Sequence, residues 1–206
     1  HDKLYAVVGV HPQDADGYNP EVREELVELA KDEKVLAIGE CGLDYYYENS
    51  PREVQREVFR AMCDLAAEVD LPLVIHSRDA AEETYDIVRE FLDAHPGHHV
   101  LIHCYSYSVE MMERFMALGC YLSLGGVTTF KNAKVPKKVA AAVPIDRLLL
   151  ETDCPYMTPE PNRGKRNEPK FVADVAKNIA ALRGMDVAEL VARTDENTKR
   201  FYQWKK

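Results

Sequence analysis

The sequence predicts an α/β fold with a parallel sheet, on the evidence of two patterns. Six apolar runs of strand length alternate with segments of helical period, and each run stops at a polar residue. The runs are hydrophobic throughout rather than at alternate positions, which is typical of strands covered on both faces, as parallel strands are. Alternation of strand and helix then leaves two architectures, a doubly wound sheet and a β/α barrel.

The elements follow one another regularly along the chain. The apolar runs are YAVVGV (residues 5–10), VLAIG (35–39), LPLVIH (71–76), HVLIH (99–103), CYLSLGG (120–126) and RLLLE (147–151). Helical segments are predicted to begin at Pro20, Pro51, Asp79 and Ser108, and two more from about residue 168 and about residue 186. Pro20 and Pro51 stand where the first turn of a helix tolerates proline, and Gly119 stands where a helix ends.

Length and composition predict one domain outside the membrane. At 206 residues, of which 46 % are hydrophobic, the chain is long enough for one sizeable core and short for two, so we expect a single domain over residues 1–206. No apolar run approaches the roughly 18 residues that a membrane span needs. The five cysteines are odd in number and form no Cys-x-x-Cys pair. This disfavours a disulfide framework or a zinc finger and favours a reducing cytoplasm.

The net charge of −9 argues against a protein that grips long nucleic acid through many phosphates. Two local basic clusters remain, at residues 131–138 and 163–166, although such clusters are more often solvated surface than binding sites. Any contact with nucleic acid is therefore expected to be local, either with the end of a nucleic-acid strand or with a short substrate.

Four of the apolar runs lead into residues that can bind metal ions. Glu40 follows VLAIG, His76 ends LPLVIH, His103 ends HVLIH, and Asp153 follows RLLLET. In a β/α barrel the carboxyl ends of all strands lie at one face, where the active sites of that fold are built. A doubly wound sheet would spread these residues along an edge, and the chain has neither a Gly-x-Gly-x-x-Gly after its first strand nor a P-loop. The pattern favours a TIM-type β/α barrel.

Each of these residues has a simpler interpretation alone. A histidine at a strand end is more often a hydrogen-bonded core residue, and a single acid more often caps the next helix. Together they favour divalent cations, because buried carboxylates and imidazoles without partners are costly. Oxygen and imidazole ligands suit zinc, manganese, iron or magnesium alike. Cys41, Cys104 and Cys154 each follow a ligand, so on extended strands they would point away from it, and we interpret them as buried apolar residues.

Seven stretches, in order and at matching spacing, resemble the TatD family of metal-dependent deoxyribonucleases in the wider amidohydrolase group of barrels. They are VGVHP (residues 8–12), IGECGLDYY (38–46), VIHSRDA (74–80), HCYS (103–106), GGVTTFKNAK (125–134), LLLETDCPYMTP (148–159) and RGKRNEP (163–169). One such motif is weak evidence, whereas the ordered set is highly specific. The run ENTKRFY at 196–202 also resembles the last helix of the family.

The resemblance implies a hydrolase that uses up to two divalent metal ions, Mg, Mn or Zn, to cleave DNA phosphodiesters as a 3′-to-5′ exonuclease on single strands. It implies that Glu40 bridges the two ions and that His76 and His103 complete one of them. Asp153 would bind the other ion and orient or deprotonate the attacking water. Two alternatives stay open: an amidohydrolase-type enzyme that cleaves another ester or amide, including an aminoacyl ester, and a non-catalytic metal-binding protein.

Further residues near these motifs are candidates for substrate binding. His11 is expected to contact the substrate phosphate or a metal ligand, with a turn-stabilising role as the alternative. Arg78 and Arg166 can each clamp a phosphate through two N–H groups, or they form structural ion pairs. Asp44 is expected to cap a helix or to support a ligand. For Tyr45 to Tyr47 we predict ordinary packing of at least two rings, with base stacking as the alternative.

Two features depart from the family. Tyr107 stands where the family usually has a glycine, and a bulky ring there would narrow the metal pocket. The family also begins with a strand that carries His-x-His and with a second strand, and neither precedes the first apolar run here. We therefore expect six strands rather than eight within this chain.

Two explanations fit that start. Either a leading segment has been removed from a longer protein, or the protein is natively short and has lost catalysis; the intact remaining ligand set favours the first. Because six strands would leave unpaired edges, we expect a homo-oligomer, strand swapping or a separately retained N-terminal fragment.

Overall fold

The computed structural model of the protein describes residues 4–204. Contacts between residues divide the chain into two compact units, which we call unit 1 and unit 2. Among the described residues, unit 1 comprises 4–102 and 201–204, and unit 2 comprises 103–200. The expectation of one domain over the whole chain stays a prediction.

Unit 1 contains a parallel sheet of four strands with helices between them. Its elements are β1 (Ala6–Val8), α1 (Pro20–Leu29), β2 (Val35–Asp44), α2 (Arg52–Val69), β3 (Leu73–Arg78), α3 (Ala81–Ala94) and β4 (Val100–Ile102). The strands lie in the order β1, β2, β3, β4, and every neighbouring pair is parallel. A 3₁₀ helix, Pro12–Gly17, lies between β1 and α1. The four predicted strands and the parallel pairing of this part of the chain are confirmed.

The helices of unit 1 begin and pack as their sequences predict. Asn19 caps α1, because its side chain accepts a hydrogen bond of 2.9 Å from the N–H of Val22, and Pro20 takes the first helical position. Helix α2 buries an apolar stripe at helical spacing, which holds it against the core. The buried stripe consists of Val58, Phe59, Met62, Leu65 and Ala66.

Unit 2 contains the remaining elements. They are α4 (Val109–Ala117), β5 (Tyr121–Leu124), α5 (Lys134–Ala142), β6 (Leu148–Leu150), α6 (Val172–Arg183) and α7 (Val187–Phe201), the last residue of which belongs to unit 1. Strands β5 and β6 are parallel, with Leu122 opposite Leu148 and Leu124 opposite Leu150. Three 3₁₀ helices, Gly126–Thr129, Ile145–Arg147 and Pro169–Phe171, lie in the connections. Both predicted strands of this unit are confirmed.

One helix is not predicted by the sequence pattern. The segment Lys134–Ala142 carries Pro136, which usually marks the end of a helix rather than its interior. Here the proline lies in the first turn, where the backbone N–H groups have no partner within the helix. The missing N–H is therefore harmless, and the helix forms.

The structure also describes the state of the cysteines and the lengths of the helices. All five cysteines lie within the described residues, and each is a free thiol. Between residues 4 and 204, no helix is both long enough and apolar enough to cross a bilayer.

Candidate metal centre

The carboxyl ends of β2 and β3 carry the first cluster of acidic and histidine side chains. Gly42 pairs with His76, and Asp44 pairs with Arg78. Side chains two residues apart point to the same face of a strand. One face of this strand pair therefore presents Glu40 and Asp44 beside His76 and Arg78.

The two strands approach each other closely at Gly42. Its φ angle is +136°, and a Cβ atom at this position would lie 2.0 Å from the carbonyl oxygen of His76. Only glycine combines that backbone conformation with that contact. Gly42 thereby fixes the distance between β2 and the backbone that carries His76.

His76 lies between two carboxylates. Its Nε2 atom is 3.0 Å from Oδ2 of Asp44, and its Nδ1 atom is 2.8 Å from Oε1 of Glu40. The side chain of Asp44 is 1 % exposed, whereas that of Glu40 is 33 % exposed. A neutral imidazole has a single N–H, so it donates to one acid and turns a lone pair toward the other. A cation bound between Nδ1 and Glu40 would need the Nδ1 lone pair, which leaves the single proton on Nε2, where the buried Asp44 can accept it.

Asp44 is held as an anion. Burial alone would raise the pKa of this carboxyl, but N–H groups of Tyr47, the Gln13 amide and Tyr46 donate to it and keep its pKa below the ordinary value. The backbone donors lie 3.0 Å from Oδ1, and the Gln13 amide lies 3.1 Å from Oδ2. Of the two roles expected for Asp44, the structure therefore shows support of a histidine, since no helix begins at this residue.

His11 approaches the same cluster from the start of the Pro12–Gly17 helix. Its Nδ1 accepts a hydrogen bond of 3.2 Å from the N–H of Gln13, its ring lies edge-on to His76 at 4.7 Å between centroids, and its Nε2 is 3.8 Å from Oε1 of Glu40. Burial, with His76 nearby, lowers the pKa of His11, so the ring is neutral at pH 7. Because Nδ1 accepts, the proton lies on Nε2, which makes His11 a hydrogen-bond donor toward the cluster.

Unit 2 contains a second cluster at the ends of two apolar runs. Nδ1 of His103 is 2.7 Å from Oε2 of Glu151, and its Nε2 is 3.9 Å from Oδ1 of Asp153. Oε2 of Glu151 also accepts hydrogen bonds from the Ser123 hydroxyl and, at 3.3 Å, from the N–H of Cys104. Burial alone would raise the pKa of Glu151, but His103 and these hydrogen bonds outweigh it and lower the pKa. The Nδ1 proton is thus held by Glu151, and the Nε2 lone pair of His103 faces Asp153.

The donor sets of both clusters suit a divalent cation. Oε1 of Glu151 is buried and, among residues 4–204, has no hydrogen-bond partner. A carboxylate oxygen in that situation is costly, and a cation is a group that satisfies it. Two sets of side chains each bring one ligand atom per residue within 4.8 Å of the others, namely His11, Glu40 and His76 in unit 1, and His103, Cys104 and Glu151 in unit 2. Imidazole and carboxylate together match the metals that the sequence left open.

The expectation that the three cysteines are buried and face away from the ligands holds for one of them. Cys41 is fully buried, but Cys154 is exposed. Cys104 is half-buried and has a φ angle of +45°, so the chain is not extended there. Its thiol therefore lies near His103 and Glu151 rather than opposite them, and its Sγ is 3.7 Å from Sδ of Met157.

A buried asparagine anchors the loop that carries Asp153. Nδ2 of Asn167 donates to the carbonyl oxygens of Thr152 and Tyr156, at 2.7 and 2.6 Å, and its side chain is 2 % exposed. Its Oδ1 accepts from the N–H of Glu168 at 2.9 Å. Asn167 belongs to the RGKRNEP motif, but the sequence predicts no role for it. Its place in that motif, after the prolines that follow Asp153, is the signal that marks it.

The structure thus brings the predicted ligands together in pairs. Glu40 contacts His76 in unit 1, and His103 lies beside Asp153 in unit 2. That all four bind shared ions stays a prediction. Arg166 is exposed, and its contact with substrate also stays a prediction. Glu151 and Asp44, which no spacing rule selects as ligands, hold the two histidines.

Comparison with known proteins decides the family. Residues 1–203 match the family described as "TatD related DNase". The chain belongs to this TatD family. Its members are metal-dependent hydrolases and nucleases, so the predicted enzyme class is confirmed.

Two similar TatD relatives illustrate the range of names in the family. The uncharacterized metal-dependent hydrolase YabD of Bacillus subtilis (strain 168) is 48 % identical over 98 % of this chain and 79 % of its own length. A protein of Shigella flexneri serotype 5b (strain 8401), named 3'-5' ssDNA/RNA exonuclease TatD, is 35 % identical over 98 % of this chain and 79 % of its own length.

Solved structures confirm the predicted TIM-type β/α barrel class. The crystal structure of YJJV, a TatD homolog from Escherichia coli K12, has a TM-score of 0.91 at 29 % identity and covers 98 % of this chain and 78 % of its own. A phosphotriesterase homology protein from Escherichia coli has a TM-score of 0.60 at 17 % identity, over 95 % of this chain and 72 % of its own, and this likeness concerns the fold alone.

Proposed function

We propose that this TatD protein hydrolyses phosphodiester bonds at the 3′ ends of single-stranded DNA, with divalent cations held by Glu40, His76, His103 and Asp153. One observation carries the proposal: each histidine lies between a buried acid at one ring nitrogen and a proposed ligand carboxylate at the other. The substrate class is supported by the 35 % identical relative that is named 3'-5' ssDNA/RNA exonuclease TatD.

The chain's own side chains divide the work of the proposed reaction. A bound divalent cation supplies Lewis acidity, which lowers the pKa of water and neutralises charge on the phosphate. Asp153, with a side chain 29 % exposed, accepts a proton from the attacking water as the water oxygen bonds to phosphorus. The bond from phosphorus to the 3′ oxygen of the preceding nucleotide breaks, and that oxygen takes up a proton from solvent water. His11 offers its Nε2–H to a phosphate oxygen.

The proposal is tested with a 5′-labelled single-stranded oligonucleotide incubated with the protein and Mg²⁺ or Mn²⁺. Stepwise shortening from the 3′ end is expected on a sequencing gel. Asp153→Asn is expected to reduce the rate by about 10²- to 10⁴-fold, the range for loss of a positioned proton acceptor. Glu40→Gln is also expected to reduce the rate, because it removes a carboxylate that would hold the cations. The same strand with a 3′-terminal phosphorothioate of the unreactive diastereomer is expected to stay intact.

Two variants with the same acid-to-amide substitutions at other positions serve as controls. Asp146→Asn and Glu53→Gln change exposed carboxyl groups outside both clusters, and their rates are expected to match the unmodified protein. Absence of shortening with either metal, or shortening that survives Asp153→Asn and Glu40→Gln, overturns the proposal. Metal-dependent cleavage of an aminoacyl ester without cleavage of DNA would instead support the ester-hydrolase alternative.

A further inference from the structure

Two of the three consecutive tyrosines after β2 lie on the surface. Tyr45 is buried, and its hydroxyl donates to Glu83 at 2.7 Å, whereas Tyr46 is 58 % exposed and Tyr47 is 55 % exposed. The prediction of ordinary packing at the barrel rim for at least two of these rings stays a prediction. The two exposed rings touch edge to face, with centroids 4.9 Å apart.

The backbone beneath the exposed rings is held in place. Oδ1 of Asp44 accepts the N–H groups of Tyr46 and Tyr47, each at 3.0 Å. The buried side chain of Gln55 accepts from the N–H of Asp44 at 2.8 Å and donates to its carbonyl oxygen at 3.0 Å. Aromatic surface that is already ordered binds a flat ligand with a smaller loss of conformational freedom than a mobile loop does.

Arg78 adds a cation to the tyrosine pair. Its guanidinium carbon lies 4.0 Å from the ring centroid of Tyr46 and 5.2 Å from that of Tyr47. A guanidinium that rests on a ring keeps its N–H donors in its own plane, where they can reach phosphate oxygens. Within residues 4–204 the contacts of the Arg78 side chain are with these rings rather than with a carboxylate.

The tyrosine pair and the first metal-ligand cluster share a carboxylate. Asp44 holds the two tyrosine N–H groups through Oδ1 and contacts Nε2 of His76 through Oδ2 at 3.0 Å. Arg78 follows His76 by two residues on the same strand and on the same face. A nucleotide with its phosphate at the Glu40 and His76 cluster thus has stacking surface and phosphate donors beside it.

We propose that Tyr46, Tyr47 and Arg78 form a nucleobase subsite that stacks an unpaired base of the substrate strand while Arg78 contacts its phosphate. This inference rests on the proposed function and names the part of the chain that selects single strands. Every base has an aromatic face, so the subsite tolerates any sequence, whereas bases inside a duplex are already stacked.

The test compares two substrates and two variants. One oligonucleotide is fully natural, and the other carries abasic tetrahydrofuran residues at its two 3′-terminal positions. The double variant Tyr46→Leu/Tyr47→Leu is compared with Tyr85→Leu, which removes a tyrosine that also lies beside an arginine, Arg89, at 5.7 Å, but on helix α3. Measurements are KM and kcat for shortening, and Kd by fluorescence anisotropy in the Asp153→Asn background.

We expect KM and Kd to depend on the presence of the terminal bases in the unmodified protein, and this dependence to be lost in the double tyrosine variant. For the natural strand, the double variant is expected to raise KM and Kd about tenfold, within the range measured for base–aromatic stacking. The abasic strand should bind the unmodified protein about tenfold more weakly, and the double variant should not distinguish the two strands. Tyr85→Leu is expected to behave as the unmodified protein, and metal content is expected to be equal in all three.

The outcomes separate this inference from the proposed reaction. Shortening of both strands with equal KM, or equal losses for both strands in the double variant, overturns the subsite and leaves the nuclease proposal standing. Binding that depends on the base and on the tyrosines, without any shortening, overturns the reaction and supports the subsite. If the protein neither binds nor shortens either strand, both the subsite and the nuclease proposal are overturned.

Discussion

In unit 1, Asp44 contacts Nε2 of His76 and Glu40 lies beside Nδ1; in unit 2, Glu151 contacts Nδ1 of His103 and Asp153 lies beside Nε2. The two histidines therefore present opposite ring nitrogens to their proposed ligand partners. The difference follows from which side of each ring the buried acid occupies. A histidine at a strand end becomes a specific ligand only through the acid behind it.

Glu151→Gln is expected to have the largest effect on metal affinity. The substitution removes the negative charge that holds the Nδ1 proton of His103 and places an amide NH₂ where buried oxygen atoms now lie. Loss of such support lowers metal affinity by about 10- to 100-fold. We expect a loss of about 100-fold for Mn²⁺, measured by isothermal titration calorimetry. Glu53→Gln is the matched control, and equal affinity in both variants would show that Glu151 does not support His103.

Asp44→Asn tests the opposite arrangement in unit 1 and is expected to have a smaller effect, about tenfold in metal affinity. Asparagine keeps an oxygen for the tyrosine N–H groups but presents NH₂ to Nε2 of His76. Nε2 then has no acceptor, so the ring proton is expected on Nδ1, where it blocks the lone pair that metal binding beside Glu40 needs. Nitrogen-15 chemical shifts of the metal-free protein report this change directly. The His103 ring is the internal control, and an unchanged His76 tautomer contradicts the assignment.

Asn167→Ala tests the loop that carries Asp153 in unit 2. The alanine leaves the carbonyl oxygens of Thr152 and Tyr156 without their donor, and part of that loss is recovered by water at the exposed loop. The free energy of unfolding is expected to fall by about 1 kcal/mol, the net worth of such hydrogen bonds. Urea denaturation provides the measurement. Asn162→Ala, which removes only a 3.5 Å contact to Asp174, is expected to change stability by less than about 0.5 kcal/mol, and equal effects of the two substitutions would contradict the anchoring role.

The smallest expected effect concerns salt. If Arg78 contacts one phosphate of the bound strand, Arg78→Ala reduces the slope of log Kd against log salt concentration by about 0.7, the contribution of one phosphate on a single strand. Anisotropy titrations at several salt concentrations give that slope. Arg89→Ala removes an arginine paired with Asp86 on α3 and is expected to leave the slope unchanged. The same experiment on Arg166→Ala shows whether the second predicted arginine also contacts phosphate.

The sequence predicts the strands well because continuous hydrophobic runs and their polar ends are local features. The pairing of Glu40 with His76, and of His103 with Asp153, follows from the shared direction of parallel strands. For Asp44 the sequence leaves support of a ligand and capping of a helix as alternatives, and for Glu151 it predicts no role. Which ring nitrogen each acid reaches decides these roles, and spacing along a strand does not encode this.

Three other features that the sequence does not predict have local causes. The left-handed backbone at Cys104 turns its thiol toward the cluster, although an extended strand would turn it away. The exposed Tyr46 and Tyr47 follow from the hydrogen bonds that Asp44 makes to their N–H groups, because these bonds hold the chain in a turn at the surface rather than in the core. Pro136 is tolerated because of its place in the first turn of a helix, which a periodic pattern without a clear start does not show.

The contact between Gly42 and the backbone of His76 restricts which amino acids can be tolerated at position 42. Every other amino acid would place a carbon atom within 2.0 Å of the His76 carbonyl, so the spacing of β2 and β3 would have to change before chemistry could be affected at all. In a library that randomises codon 42, the variants that are recovered by a selection for solubility alone should carry glycine at this position, even though catalysis is not selected.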